Sequence, residues 1–376
     1  MLEGGRISNR QLIFLMLFTV LGTANMFLPA LAAEHAKQDA WLSPFFSMLE
    51  GLWVVFIITE LGRRFPGKTL IEYLRLITGP VLGTGLGCLF IFWMIHTNAI
   101  IIREFAELIV TTMMPETPII IFLATITFTA ALLVRAGLEV MGRTAEFLSP
   151  IFLGTFVLIP LLVGEIMKPE NLLPILEKGI KPVIAGGLAP GGWFGEVALL
   201  GMLLPYLREP HKGRQAVALA VGVITVNLSV TGFAVTAVFG PEPNLMFPFL
   251  TLAQNIRVAE FLERIESLIL VVWVAGVAVK IAVFYYAAVL ATAQLTGVKD
   301  YRCVVTPIGV ILTVLAIIIY DNIMELVNFV ARIWPFYGPT FEWVIPALLL
   351  VVAIVTRKKS PPPPEDPDPE RNVGTH

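Results

Sequence analysis

Long apolar segments recur along this chain of 376 residues, and they constrain its fold more than any other feature. About 20 apolar residues suffice to cross the roughly 30 Å hydrocarbon core of a membrane as a helix. Because that core offers the backbone no hydrogen-bonding partners, each such segment must be helical. We therefore predict an all-α integral membrane protein with about ten spans, over residues 8–33, 43–62, 82–112, 118–135, 144–164, 186–207, 215–239, 262–295, 304–321 and 340–356.

The composition agrees with this class of protein. Hydrophobic residues make up 57% of the chain, charged residues only 14%, and the mean hydropathy is +0.82. The net charge of −2 gives no reason to expect a nucleic-acid partner. We expect Cys88 and Cys303 to be buried small residues and predict no metal site and no cofactor. The sequence has no H-E-x-x-H motif, no G-x-S-x-G motif and no clustered histidines, so it does not predict an intramembrane enzyme.

The basic residues predict how the spans are oriented. With the N-terminus in the cytoplasm, most lysines and arginines fall in cytoplasmic loops, which favours placing both termini inside. Residues 1–356 then form one transmembrane domain. Residues 357–376 form a basic, then proline-rich tail, which is predicted to be disordered in the cytoplasm.

The segment GRRFPGKT, residues 62–69, matches the pattern of a nucleotide-binding phosphate loop. Such a loop follows a β-strand, whereas this segment follows the predicted second span. Pro66 also removes one of the backbone N–H groups that would bind phosphate. We interpret the match as coincidental and expect Arg63, Arg64 and Lys68 to contact anionic lipid headgroups.

Two spans contain residues that interrupt a helix in mid-membrane. Span one includes Gly22, Thr23, Ala24 and Asn25, and span six includes Gly192 to Glu196. Each interruption lies about 18 Å along the helix from a basic residue at the cytoplasmic surface, so the two can face one another. Broken helices at matched places in two five-helix halves are typical of inverted-repeat transporters, where they line a ligand cavity. The alternative is that these glycines only allow close helix packing.

Paired broken helices would suit an α-amino acid. Free N–H groups at the half-helix starts would bind its carboxylate, and the preceding carbonyl groups would bind its ammonium group. Span three could form another wall of the cavity through His96 and the residue one turn beyond it. The predicted ligand-binding residues are Gly22, Thr23, Ala24, Asn25, His96, Ile100, Gly195, Glu196 and Leu200.

Ionisable residues inside spans are costly and often functional. Lys280 lies about 20 Å of helix from either membrane surface, where it would be either a built-in cation in place of sodium or half of a structural ion pair. We name Glu50 and Glu146 as its candidate partners. Glu196 would complement a helix N-terminus, or else bind a ligand ammonium group or exchange a proton. The candidates for ion or proton coupling are Lys280, Glu196 and Glu146.

Arg103 and Glu107 are four residues apart on span three. Side chains at this spacing lie on the same face of a helix and can pair. Their position further out than His96 predicts a solvated ion pair in an outer vestibule.

The chain resembles the B-subunit family of spore germinant receptors, which belongs to the amino acid–polyamine–organocation superfamily. The likeness extends from Ser8 to about Thr356 and depends on five segments. The resemblance implies a LeuT-like fold, a site for a small germinant between spans one, three, six and eight, and assembly with A- and C-type subunits. Ala24 stands where relatives often have glycine, which leaves a ligand less room near the backbone. The five segments are LGTANMFLPA, RRFPGKTLIEYL, GRTAEFLSPIFL, ENLLPILEKGIKPV and ESLILVVWVAGVAVKIAVFYYA.

Two functions remain open at this stage. One is a subunit of a germinant receptor, in the spore inner membrane or cell membrane, that binds an amino acid and signals to its partner subunits. The other is an autonomous proton-coupled amino acid transporter, which could use the same fold together with Lys280 and Glu196.

Overall fold

The computed structural model describes residues 2–241, 245–256 and 265–360, except for the side chains of residues 265–268. Within these ranges the protein is almost entirely helical, as predicted. Residues 361–376, most of the predicted disordered tail, lie outside the described residues. The α-helices are α1 Asn9–Ala36, α2 Ser43–Arg64, α3 Leu70–Thr78, α4 Pro80–Thr112, α5 Ile119–Ala136, α6 Leu138–Leu162, α7 Lys181–Gly195, α8 Leu200–Leu203, α9 Gly213–Phe239, α10 Pro248–Gln254, α11 Ile265–Thr296, α12 Arg302–Ile318, α13 Ile323–Arg332, α14 Trp334–Pro339 and α15 Ile345–Val355.

The helices account for the predicted membrane spans. Eight helical stretches of the described chain are long and apolar enough to cross a membrane, and the pair α12 and α13, bent by 100°, forms a ninth. The first stretch, Asn9–Arg64, is 56 residues long and contains both α1 and α2. Counted separately, these two helices complete the predicted set, so the protein is an integral membrane protein.

Local sequence signals fix several helix starts. Ser8 caps α1 and exchanges hydrogen bonds with Gln11, and Thr69 caps α3 in the same way with Glu72. These reciprocal bonds satisfy backbone N–H groups that a helix start leaves unpaired. Gly79 has a φ of +87°, a conformation that glycine adopts at no steric cost, and it turns the chain sharply from α3 into α4.

Helix α1 lies at the centre of the bundle, packed against α6, α7, α9 and α11. It is continuous from Asn9 to Ala36, so the predicted break in span one is wrong. A Cβ atom added at Gly22 would lie 3.0 Å from Cβ of Lys280, which shows how closely α1 approaches α11. Gly22 therefore permits close helix packing, the alternative that the sequence left open, and buried packing on all sides keeps α1 helical.

The α-helix of span six is interrupted where the sequence predicted a break, but the chain stays helical there as a 3-10 turn. Helix α7 ends at Gly195, a 3-10 turn covers Glu196–Leu199, and α8 continues for one turn. The glycines of α7 also allow neighbouring helices to approach closely. A Cβ atom at Gly187 would lie 2.9 Å from the ring of Phe46 on α2, and one at Gly192 would lie 2.3 Å from Nε1 of Trp334 on α14.

The N-terminal segment closes one end of the bundle. The backbone N–H of Ile7 donates to the carbonyl of Tyr206 at 3.0 Å, and the N–H of Arg208 donates to the carbonyl of Ile7 at 3.0 Å. The buried Glu3 carboxylate accepts a hydrogen bond of 2.9 Å from the hydroxyl of Tyr301, just before α12. Burial and the bond to Glu3 raise the pKa of Tyr301 well above its usual value, so Tyr301 remains a donor at neutral pH.

Arg103 and Glu107 join α4 to the other end of α12. The Arg103 guanidinium lies 2.7 Å from Glu107 and donates to the carbonyl oxygens of Ala316 and Ile317 at 3.2 and 3.0 Å. Both charged residues are buried, so the predicted solvated pair is wrong. The last carbonyl groups of a helix have no hydrogen-bonding partner within it. At the end of α12 the Arg103 guanidinium is the donor to two of them.

Both cysteines are exposed on the surface of the helical bundle, contrary to the expected burial. Cys88 lies on α4, where the outer face of a membrane helix can carry small apolar side chains at no cost. The thiol of Cys303 donates to the carbonyl of Asp300 at 2.9 Å. Among the described residues, no group of three or more histidine, cysteine or acidic side chains could hold a metal ion.

The segment GRRFPGKT joins two helices, which confirms that it is not a phosphate loop. It begins in the last turn of α2, turns at Gly67, where φ is +73°, and ends at Thr69, the cap of α3. Lys68 of this segment pairs with Glu72 of α3 at 3.7 Å, and both side chains are partly exposed.

Replacing Lys68 by alanine should therefore have little effect. An exposed ion pair contributes about 0–1 kcal/mol, so we expect a correspondingly small change in thermal stability in detergent and no nucleotide-binding phenotype. Equilibrium binding of labelled ATP to the parent and the variant checks this. Saturable ATP binding that Lys68→Ala abolishes would contradict our interpretation of the segment.

Candidate ligand-binding site

Lys280 and Glu196 form an ion pair in the middle of the bundle. Nζ of Lys280 lies 2.8 and 3.0 Å from the two carboxylate oxygens of Glu196, and both residues are almost completely buried. Glu196 begins the 3-10 turn that follows α7. Of the two alternatives for Lys280, the structural ion pair is thus present. The acidic partner of Lys280 is Glu196, and not Glu50 or Glu146 as predicted.

The hydroxyl of Thr23 connects this pair to the neighbouring helices. Thr23 Oγ1 accepts hydrogen bonds from Nζ of Lys280 at 3.1 Å and from Nε1 of Trp193 at 3.0 Å. The carboxylate of Glu104 lies beside the same hydroxyl, which can donate its own proton. Residues of α1, α4, α7 and α11 therefore meet at one polar centre.

Glu104 adds a second carboxyl group to this centre. Its side chain is buried, and its Oε2 atom has no hydrogen-bonding partner among the described residues. Glu104 interacts electrostatically with Lys280 and with Glu196. Two carboxyl groups thus share one ammonium group, and because Lys280 is bonded to both oxygens of Glu196, Glu104 is the acid with acceptor capacity left.

A small cavity lies against Glu104 and Glu196. Its interior is about 10 Å³, room for roughly one water molecule. Three lining residues are polar or acidic, and the others carry aliphatic or indole side chains. The lining residues are Thr97, Ile100, Ile101, Glu104, Trp193, Glu196, Val330 and Trp334.

The structure brings only part of the predicted site together. Ile100 and Glu196 line the cavity, and Thr23 bonds to the ion pair beside it. Gly22 packs under Lys280, and Gly195 packs against the carboxyl group of Glu342. The other three predicted residues of spans one and six are buried at a remove from the cavity lining, and these are Ala24, Asn25 and Leu200.

Two other predicted residues lie elsewhere. His96 belongs to an aromatic cluster, with its ring centroid 5.2 Å from that of Tyr337 and 5.4 Å from that of Phe92. Glu146 forms an ion pair of 2.9 Å with Arg10 and accepts a hydrogen bond from Gln11. Both predictions used only the depth of the residue in the membrane. The rotation of each helix about its axis turns His96 toward the aromatic cluster and Glu146 toward Arg10.

Sequence reasoning missed Glu104, Trp193 and Trp334. Glu104 lies one helical turn beyond Ile100 and two beyond His96 on α4, so helical spacing could have found it. Trp193 lies three residues before Glu196, in the last turn of α7. Trp334 had no such signal, because α14 reaches the cavity only through the packing of α14 on α7.

A buried polar centre beside a span whose α-helix is interrupted is typical of secondary transporter folds. Solved structures support this class. The chain aligns with MhsT, whose structure holds L-phenylalanine, with a TM-score of 0.67 and 14% identity over 93% of this chain and 99% of that one. It aligns with the nucleobase-cation symporter Mhp1 with a TM-score of 0.66 and 13% identity over 94% and 79%. The LeuT-like fold is thereby confirmed.

The chain belongs to the spore germination protein family, which it matches over residues 6–325. Spore germination protein KB of Bacillus subtilis (strain 168) is 29% identical over 348 residues, which cover 89% of this chain and 91% of that protein. Spore germination protein YndE of the same organism is 25% identical over 79% of this chain and 83% of its own length. These matches confirm the family that the sequence motifs indicated.

Proposed function

We propose that this protein is the membrane subunit of a spore germinant receptor and that it binds a small amino acid in the cavity beside Glu104. Family membership and the transporter-like fold support a role in sensing a small molecule. The observation that carries the proposal is the free carboxylate oxygen of Glu104 in a cavity that is otherwise largely apolar. A buried acceptor of this kind suits the ammonium group of a ligand.

A second unpaired group suits the other end of an amino acid. Trp334 lines the cavity, and its buried Nε1 has no acceptor among the described residues. An indole N–H is a donor only, so it fits a carboxylate oxygen. The walls formed by Ile100, Ile101 and Val330 suit an apolar side chain. Because the cavity interior is so small, a ligand would enter only when the walls move, which links binding to a change of conformation.

Further parts of the proposal concern the cellular setting. The resemblance of the chain to the B-subunit family supports assembly with A- and C-type subunits in the spore inner membrane. The placement of the basic residues supports cytoplasmic termini. Co-purification with such subunits tests the assembly, and the expected result is a complex that survives solubilisation.

Glu104→Gln tests the ligand site directly. Glutamine keeps the size of the side chain but removes its charge, and losing one charge-assisted hydrogen bond costs about 1.5–3 kcal/mol, or roughly ten- to a hundred-fold in affinity. The measurement is equilibrium binding of a panel of radiolabelled amino acids, aliphatic and aromatic, to the purified full-length protein.

The matched control is Glu34→Gln, the same substitution on the exposed surface of α1. It should bind like the parent. If Glu104→Gln also binds like the parent, the ammonium site is elsewhere. Uptake of the bound amino acid into proteoliposomes that follows a proton gradient would instead favour the autonomous transporter.

A further inference from the structure

Glu342 is a second buried acid near the broken span, and the ion pair does not use it. It lies in the middle of a π-helical turn, Thr340–Val344, between α14 and α15. Its exposed fraction is 0%, and neither carboxylate oxygen has a hydrogen-bonding partner among the described residues. π-helical turns within helices often mark functional positions, and an acid buried without donors needs an explanation.

The carboxyl group of Glu342 lies directly against the end of α7. A Cβ atom added at Gly195 would be 1.9 Å from Oε2 of Glu342, so only glycine leaves room for the acid there. One turn earlier, a Cβ atom at Gly191 would be 2.1 Å from Oε2 of Glu50 on α2. Two acids, Glu50 and Glu342, thus occupy the space left by two glycines in the last two turns of α7.

The charged and titratable groups around Glu342 are mostly acidic. Glu50 and Glu196 interact with it as like charges, Lys280 as the opposite charge, and Tyr337 of α14 as a further titratable neighbour. Lys280 is already bonded to Glu196. An ionised Glu342 would therefore be a buried charge without a cation of its own, which is strongly unfavourable, and a proton on its carboxyl group removes that charge.

The nearby side chains favour a proton over a metal cation. Trp343 donates through Nε1 to Glu50 at 3.0 Å, and Trp334 lies with Glu342 against Gly338. Indole N–H groups donate hydrogen bonds and cannot coordinate a cation. A sodium-like ion would require several oxygen ligands.

We propose that Glu342 is a proton-binding site that holds a proton when the α7 break is packed against it and exchanges that proton through the partly exposed Glu50. Loss of the proton would place a negative charge beside Glu196 and compete with Glu196 for Lys280. The proton on Glu342 is thereby linked to the ion pair that positions the break. This inference does not depend on the identity or binding of a germinant.

Infrared spectroscopy of the ligand-free, full-length protein at neutral pH tests the proposal through the C=O band of protonated carboxyl groups. The parent should show a buried carboxylic-acid band, and Glu342→Gln, which has the shape of the neutral acid, should lose the component due to Glu342. Glu325→Gln, an exposed acid on α13, is the matched control and should leave the band unchanged.

Several outcomes would overturn the proposal. A parent protein without any carboxylic-acid band excludes a proton on Glu342 whether or not the variant folds. A band of equal size in the parent and in Glu342→Gln assigns the proton to another acid. Replacing choline chloride by sodium chloride gives an independent measurement: sodium-dependent thermal stabilisation of the parent that Glu342→Gln abolishes would identify a cation site instead.

Discussion

Replacing Lys280 by methionine is expected to lower the free energy of unfolding by about 3–5 kcal/mol, the usual effect of removing one partner from a buried ion pair. Methionine fills a similar volume, so the loss reflects charge rather than a cavity. Without Lys280, Glu196 and Glu104 are left with no cation among the charged groups that interact with them. Thermal unfolding of the purified protein in detergent, followed by tryptophan fluorescence, measures the change.

Two further variants separate charge from position. Lys212→Met removes a lysine whose side chain is 50% exposed and which pairs with Glu209, and it should cost no more than about 1 kcal/mol. The double variant Lys280→Met, Glu196→Gln removes both charges of the buried pair and should recover most of the stability. If Lys280→Met is no worse than Lys212→Met, the buried pair does not stabilise the bundle.

Arg103→Met should have an effect of similar size at the other end of α12. The substitution leaves Glu107 buried and unpaired, and it removes the donor to the carbonyl oxygens of Ala316 and Ile317. Losing one partner of such a buried pair costs about 3–5 kcal/mol. We expect a lower unfolding temperature and easier proteolysis near the bend between α12 and α13. Thermal unfolding and limited chymotrypsin digestion, which can cleave after Tyr320 in this bend, measure these changes.

The chain contains a matched control for this prediction. Arg143 pairs with Glu139 at the same four-residue spacing on α6, but its side chain is 69% exposed. Arg143→Met should therefore cost only a few tenths of a kcal/mol, as for other exposed pairs in a helix. Equal losses for the two variants would contradict the view that burial distinguishes them.

Much of the fold could be predicted because the relevant signals are local. A run of apolar residues determines a span wherever it occurs, because the membrane core has one thickness and accepts only helices there. The break before Glu196 was also predictable, since glycines and a proline are concentrated in α7. The same kind of signal was wrong for α1, where a single glycine fits against Lys280 without interrupting the helix.

The candidate site was predictable only in part, because its contacts join distant parts of the chain. The sequence showed that Lys280 lies deep in the membrane and needs a partner, and that Glu196 lies at a helix break. Which acid Lys280 meets depends on how each helix is rotated about its axis. Depth in the membrane does not specify that rotation, which is why Glu50 and Glu146 were wrong candidates.

The sequence by itself determined the number and placement of the spans, the family, and the presence of buried charges that require compensation. Only the tertiary structure decided how those charges are arranged. Lys280 reaches Glu196 across 84 residues and Thr23 across 257, and the unpaired oxygens of Glu104 and Glu342 become apparent only once every neighbour is in place. The physical reason is that hydrophobic length is a property of one segment, whereas the partner of a buried charge is set by the packing of several.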